Sequence, residues 1–377
     1  MTVHVASVGM GRFGKRSEGL IALATEAANL ALEGVGRKPI DLLVVGTMFS
    51  SGPYGREAIL PRLAGVLGLE SASGFRVDSS SGTGGMAFHA AALALETGGF
   101  DRALVIGAEK MTDRSTAENT KDLSASLHMS EVAAGATMPG LAAIVASRYL
   151  QRHHLTSHVC DVSTVHARAM AAANPNAHFQ KAVTLEEAAT SRPVALPLRL
   201  LHCSAMSDGA TAVVLEKGKG PATVLGLGQG FDALRIVDRE DLTSFAATRV
   251  AARRAYEAAH LTRKEVNVIE LHDAFSPFSM ITLEDLGVCG PGEALGWFEK
   301  GWVGLNGRLP VNPSGGVVGR GHPVAASGLA EIAEVALQLR GEAGAHSIGS
   351  RPKVGLAQTI SGIGSHNFVT LLGREAA

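Results

Sequence analysis

The chain has few cysteines: Cys160, Cys203 and Cys289 lie far apart and form no CxxC pair. That spacing argues against a disulfide framework or a cysteine-built zinc cluster, and it fits a reducing compartment. An excess of charge is missing too. Lys and Arg number 34 against 35 Asp and Glu, so no overall field draws the chain to nucleic acid or an anionic membrane, while a local basic patch for a phosphorylated ligand stays compatible. No apolar stretch approaches the ~18 residues that suggest a membrane span. The N-terminal Met1-Thr-Val-His-Val lacks a basic region ahead of an apolar run, and the C-terminal Arg374-Glu-Ala-Ala carries no recognisable address. A cytoplasmic protein is expected, with neither nucleic acid nor membrane as a partner. What the chain does have is core material: 377 residues, 46% hydrophobic and 18% charged, enough for two or three average domains.

Residues 17–50 and 243–276 align without a gap. Each copy opens on a candidate N-cap (Ser17, Thr243), runs through an Ala-rich helical pattern, reaches a basic turn (Arg37-Lys38, Arg263-Lys264) and enters an apolar strand. Both copies continue alike. In the first come a polar turn at Ser79 to Gly85, a helix near Met86 to Gly98 and a strand at Ala103 to Gly107; in the second, a turn at Asn312 to Gly321, a helix near Ala325 to Arg340 and a strand from Lys353. Short apolar strands alternating with helices imply sheets buried on both faces. The expected fold class is therefore α/β, with two duplicated halves packed through their helices. The halves are 1–216 and 222–377, joined by Lys217-Gly-Lys-Gly-Pro221. An irregular excursion at about 111–207, mixed polar, Met-rich and Pro-containing, is expected to lie over the active site.

Gly9-Met-Gly-Arg-Phe-Gly14, with Glu33 beyond it, matches a dinucleotide fingerprint. The helix is expected to start at Ser17, outside the glycines, so a plain strand-to-helix loop is the favoured reading. His154 and His158 stand at i, i+4 without an acidic partner in a fitting pattern, which reads as a solvated helix end rather than a metal site. Ser81 joins a strand directly to a helix, at the positive end of the helix dipole and beside backbone NH groups suited to an oxyanion. Ser79, Ser80 and Ser81 serve equally as capping residues, and taken alone they favour capping. His272 and His322 fall at strand ends or tight turns of the second half, where an imidazole can move a proton near neutral pH or donate to a developing enolate oxygen. A lone histidine is more often structural, but the Gly-rich turns around these shift the balance towards function.

Together these stretches resemble the thiolase superfamily, over essentially the whole chain. His272-Asp-Ala-Phe275 resembles its HDAF or HDCF block, Asn312-Pro-Ser-Gly-Gly-Val-Val-Gly-Arg-Gly-His322-Pro its glycine-rich signature ending in GHP, and Ala357-Gln-Thr-Ile-Ser-Gly362-Ile-Gly its terminal CxG block. Ala172 to Asn176, Ser191 to Ala210 and Leu337 to Gly344 resemble the branch of the sterol-carrier-protein thiolases and of thiolases paired with a small zinc-ribbon/OB-fold protein. The resemblance implies a layered α-β-α-β-α body, a homodimer formed through the strand around Gly74 to Val77, and that small protein as a partner. It also implies coenzyme A as a substrate, no permanently bound cofactor and no metal. Carried over singly, Ser81 takes the nucleophile position, His322 activates it and His272 donates to the thioester oxygen. Gly362, Asn312 and Arg320 are the oxyanion or substrate-binding candidates, with Arg320 suited to a substrate carboxylate.

Three positions depart from the family pattern. Ser81 replaces the nucleophilic cysteine, natively or by engineering, and Ala274 and Gln358 stand at the two places for a second cysteine. A thiol of pKa about 8.5 is partly ionised near neutrality, whereas a serine hydroxyl needs an adjacent base. The implied activity is carbon-carbon bond cleavage or formation beside a thioester: β-ketoacyl-CoA plus CoA to two acyl-CoAs, on a bulky, branched or aryl substrate such as benzoylsuccinyl-CoA. Retro-aldol cleavage of a β-hydroxyacyl-CoA and a non-catalytic scaffold subunit remain the alternatives.

Overall fold

The computed structural model describes residues 2–36, 38–48 and 58–374; Arg37, Phe49 and Ser50 of the first repeated frame lie outside them. In chain order the strands are β1 (Val3–Met10), β2 (Leu42–Gly46), β3 (Ser73–Val77), β4 (Arg102–Glu109), the small hairpin β5 (Pro193–Ala195) and β6 (Leu198–Arg199), β7 (Gly209–Lys217), β8 (Thr223–Phe231), β9 (Val268–Leu271), β10 (Val354–Ser361) and β11 (His366–Gly373). Nine of them form one sheet in the order β3-β2-β4-β7-β1-β8-β11-β10-β9.

The sheet is made of two similar halves. In the first, β2 runs parallel to β3 and β4, while β7 is antiparallel to β4 and β1. In the second, β9 runs parallel to β10, and β11 is antiparallel to β10 and β8. A lone parallel bridge from Ile269 to Val311 stands where β3 stands in the first. The halves meet where His4 of β1 pairs with Thr223 of β8. The helices Leu20–Glu33 and Ala246–Ala259 begin and end at positions that the two aligned frames pair, and β2 and β9 begin at paired positions. Both helices start later than the expected N-caps. Ser17 Oγ donates to Glu18 and Thr243 bonds Asp241, so Gly19 and Phe245 open the helices with no side-chain cap.

Period-two alternation sends neighbouring strand residues to opposite faces. Leu43, Val45, Leu104 and Ile106 pack under Leu20–Glu33 and the helix Ile59–Leu67. Leu42, Val44 and Val105 point the other way, onto the helices Thr83–Glu96 and Val324–Arg340, and the same cluster takes in Ala357 and Leu372 from the second half. Ile269, Leu271, Leu356 and Leu371 face outward to Ala246–Ala259 and the excursion. The layer order is thus α-β-α-β-α. The two central helices touch backbone to backbone, since a Cβ on Gly84 would stand 2.2 Å from Leu329 N.

The excursion is far more regular than its composition suggests. It carries the helices Thr116–Leu123, Met129–Ala133, Met138–Arg152, His158–Ala171 and Leu185–Thr190 besides the β5–β6 hairpin. Capping boxes at Ser115/Glu118 and Thr184/Glu187 start two of them, and Thr137 with Pro139 in the first turn starts a third. Among the described residues no helix is long and apolar enough to cross a membrane.

Candidate active site

The turn after β3 is built from short polar side chains. Asp78 Oδ1 accepts from Ser80 N at 2.9 Å, and Ser80 takes a left-handed φ of 53°. Thr83 Oγ1 accepts from Ser79 N at 2.8 Å and donates to Ser80 O at 2.6 Å, closing the turn as the helix begins. Ser79 Oγ pairs with His366 Nδ1 at 3.0 Å, and no side chain caps the helix at Gly82. Ser81 is left free of capping work. It is 5% exposed, and among the described residues its Oγ has no hydrogen-bond partner.

Ser81 opens on a cavity of about 100 Å³ shared with His322, Gly362, Ala274 and Cys203. Leu123, Met138, Met111 and Phe275 supply an apolar wall. Asp208 holds Met111 in place, accepting its backbone N–H at 2.7 Å and an ion pair from Lys110 at 2.7 Å.

His322 reaches this cavity from the Gly-rich turn ahead of Val324–Arg340. Its backbone N–H donates to Ala205 O at 3.0 Å, and its Nδ1 lies 2.8 Å from Ser327 Oγ. The Ser327 hydroxyl donates to Pro323 O at 3.1 Å, so Ser327 Oγ accepts from Nδ1–H and Nε2 keeps a free lone pair. Burial, the adjacent His272 and Arg320 push its pKa well below 6.5. The ring is a neutral base at physiological pH.

His272 stands beside His322, ring centroids 5.1 Å apart, but is buried and does not line the cavity. Its Nδ1 lies 2.6 Å from Glu331 Oε1, while Thr359 Oγ1 donates to Glu331 Oε2 at 2.7 Å. Burial raises Glu331 to about 8 and lowers His272 to about 3. Near neutrality the carboxyl therefore donates to Nδ1, which leaves the ring proton on Nε2. Among the described residues that Nε2 has no partner.

Two binding candidates turn inward. Asn312, at φ 50°, accepts from Leu271 N at 2.7 Å and ties the Gly-rich turn to β9. Arg320 is fully buried, donates to Ser314 Oγ at 2.8 Å and sits 3.6 Å from Glu270, so the carboxylate it meets is internal. Neither lines the cavity, so Arg320, expected to meet a substrate carboxylate, meets Glu270 instead. Gly362 does line it, at φ 58°. Gln358, on β10, is buried and accepts from His272 N at 3.2 Å.

Sequence reasoning passed over Cys203 and Glu331. A search for paired cysteines gives a lone thiol no weight, yet Cys203 bridges to Phe275 of the HDAF stretch and lines the cavity. Glu331 lies on a helix whose Ala-rich pattern gives no sign that its polar residues are buried. Among the described residues no group of three or more His, Cys, Asp or Glu is placed to hold a metal.

Residues 3–219 match the model for the thiolase N-terminal domain and residues 228–374 that for the thiolase C-terminal domain-like family. The acetyl-CoA acetyltransferase of Methanothermobacter thermautotrophicus is 36% identical over 93% of this chain and 94% of its own length. The benzoylsuccinyl-CoA thiolase subunit BbsB of Thauera aromatica is 31% identical over 96% and 94%. Among solved structures, the Ltp2-ChsH2(DUF35) aldolase superposes with a TM-score of 0.83 at 26% identity, covering 99% of this chain and 98% of that one. With both halves matched and relatives similar along nearly their whole length, the chain belongs to the thiolase family.

Proposed function

We propose that this protein makes or breaks a carbon-carbon bond beside the thioester carbonyl of an acyl-CoA, by thiolase-type chemistry. The observation that carries the reading is the meeting of Ser81, from the first half, with the neutral His322, from the second, at one cavity. In the thiolytic direction Nε2 of His322 takes the proton of the attacking group. The β-ketoacyl-CoA then splits between its α and β carbons: the β-acyl group passes to Ser81 and on to the thiol of incoming coenzyme A, and the α-carbon takes up a proton and leaves as the second acyl-CoA. His272, its proton on Nε2 and that atom without a partner among the described residues, polarises the thioester oxygen once the cavity deepens past His322 to reach it. A cavity of about 100 Å³ seats little more than the atoms at the scissile bond. A branched or aryl acyl group, which the BbsB relative supports, requires the wall of Leu123 and Met138 to open.

The absence of a thiol at Ser81 and Ala274 favours a second reading, retro-aldol cleavage of a β-hydroxyacyl-CoA, and the aldolase relative supports it. There Nε2 of His322 takes the β-hydroxyl proton, and no acyl-enzyme forms. Intact mass and product analysis separate the two. Under the thiolytic reading, Ser81→Cys yields a covalent acyl adduct from a β-ketoacyl-CoA and raises turnover with free CoA. If that variant stays folded and binds acyl-CoA yet gives neither, Ser81 is not the acylation position. CoA-independent release of a carbonyl product from a β-hydroxyacyl-CoA selects retro-aldol. No turnover and no acyl-CoA binding would leave only a scaffold subunit.

Assembly belongs to the same proposal. Edge strand β3 is exposed at Ser73, Gly74 and Arg76 and, among the described residues, unpaired along one side, the kind of edge that a second copy can cover. The words subunit and DUF35 in two relatives' names support a small protein partner. Light scattering tests the homodimer, and co-purification with the candidate small protein tests the partner.

A further inference from the structure

The thiol that lines the cavity stands at none of the positions where the family resemblance calls for one. Cys203 pairs by a backbone bridge with Phe275, and the neighbouring Ser204 N donates to Ala274 O at 2.9 Å. These contacts set Cys203 against the stretch in which Ala274 offers no side chain long enough to react. Its Sγ donates to Arg199 O at 3.4 Å, which holds the sulfur in its protonated form. Ser81 is an independent sign that the same cavity receives a ligand, being 5% exposed with an Oγ that has no partner among the described residues. A nearly enclosed hydroxyl that lines the cavity without a protein partner is one that a molecule bound there can pair with.

We propose that Cys203 is the acid-base residue that exchanges a proton with the α-carbon of the bound acyl-CoA, an assignment that rests on the function proposed above. In the cleavage direction His322 Nε2 takes a proton from the attacking hydroxyl or thiol, or from a β-hydroxyl. The bond between the α and β carbons breaks, and its electron pair passes to the α-carbon as a thioester enolate. The Cys203 S–H bond then breaks and its proton goes to that carbon. The resulting thiolate recovers the proton that His322 took, so the balance closes with no redox partner. Burial pushes the thiol up to about 12, which keeps it protonated until a base as strong as an enolate carbon is present, and makes its thiolate a strong base in the reverse direction.

Acetyl-CoA in deuterated water isolates this step, because exchange of its α-hydrogens needs the acid-base group and no carbon-carbon chemistry. The full chain is expected to exchange them. Cys203→Ala is expected to lower the exchange rate by about 100-fold or more, the range of general acid-base catalysis, with acetyl-CoA binding retained. Cys203→Ser, which keeps the shape but is a far weaker acid, is expected to stay nearly as low. It carries the test if the alanine variant folds poorly. A purely structural role would move binding and stability and leave the exchange rate per bound complex alone. Wild-type exchange in either variant would overturn the assignment while the proposed function stands. If the unaltered chain neither exchanges α-hydrogens nor cleaves any acyl-CoA, both fall together.

Discussion

At the end of β2 the chain reads Gly46-Thr47-Met48, and at the paired place after β9 it reads His272-Asp273-Ala274. A Cβ on Gly46 would stand 2.7 Å from Thr83 Cγ2, so the first half needs a bare strand end for Thr83 to close the Ser81 turn. The second half leaves room there for an imidazole that reaches Glu331 on the central helix. One frame therefore yields two kinds of surface. Past these paired ends the first half displays a hydroxyl on a tight turn, while the second carries its titratable side chains on the strand end itself, His272 and Asp273 being buried there with Glu270 and Glu331. The repeated architecture brings two strand ends and two helix starts together, and the volume left under each central helix decides which of them carries the chemistry.

The sharpest test of this division is His322→Ala. If the second half supplies the base, kcat/KM should drop by about 100- to 10,000-fold, the range of positioned acid-base catalysis, while the melting temperature changes little. Activity within a fewfold of the unaltered chain would break the comparison at its main point.

Changes at the paired strand ends should act in different currencies. In the first half Gly46→Ala forces a methyl against Thr83, whose hydroxyl bonds Ser79, Ser80 and Asp78 and so cannot swing away freely. A cost of about 1–3 kcal/mol by urea unfolding is expected, as for overpacking. In the second, His272→Ala removes the partner of buried Glu331, at about 1–3 kcal/mol for the group left unsatisfied. Turnover should also fall, by about 100-fold if His272 is an oxyanion donor. A silent Gly46→Ala would show that Thr83 is not what keeps the strand end bare.

Much of this arrangement is legible in the residues, because helix and strand periods survive duplication. The paired helices and strands follow from the ungapped frame, and the Ser81 and His322 turns from the short polar and glycine residues around them. Burial within a Gly-rich turn is not legible, since such a turn has no period to tell inside from outside. Asn312 and Arg320 look like ligands there and prove to be internal braces. The excursion misleads through composition. Its Met, Pro and polar residues read as irregular, while Ser115, Thr137 and Thr184 are caps that start helices. Cys203 escapes because only the Phe275 bridge, a contact distant in sequence, gives it a place.

The last expected effect concerns pH, and it turns on the protonated carboxyl buried in the second half. Glu331 is raised from 4.5 to about 8 by burial, so the folded state holds a proton that the unfolded chain has released between those values. Its contribution to stability is complete below about 4.5 and is lost as pH rises towards 8, by at most ~1.4 kcal/mol per pH unit. Buried neutral histidines act oppositely: His89 and His272, lowered to about 3, cost stability as pH falls below 6.5. Glu331→Gln removes one of these slopes without removing its contacts. The amide N–H can donate to His272 Nδ1 as the protonated acid does, and the amide oxygen can accept from Thr359. The variant should match the unaltered chain at pH 5 and exceed it progressively from pH 6 to 8 in urea unfolding. Parallel curves over that range would mean that Glu331 stays ionised in the folded protein. His272 would then carry its proton on Nδ1, and its Nε2 would have none to donate.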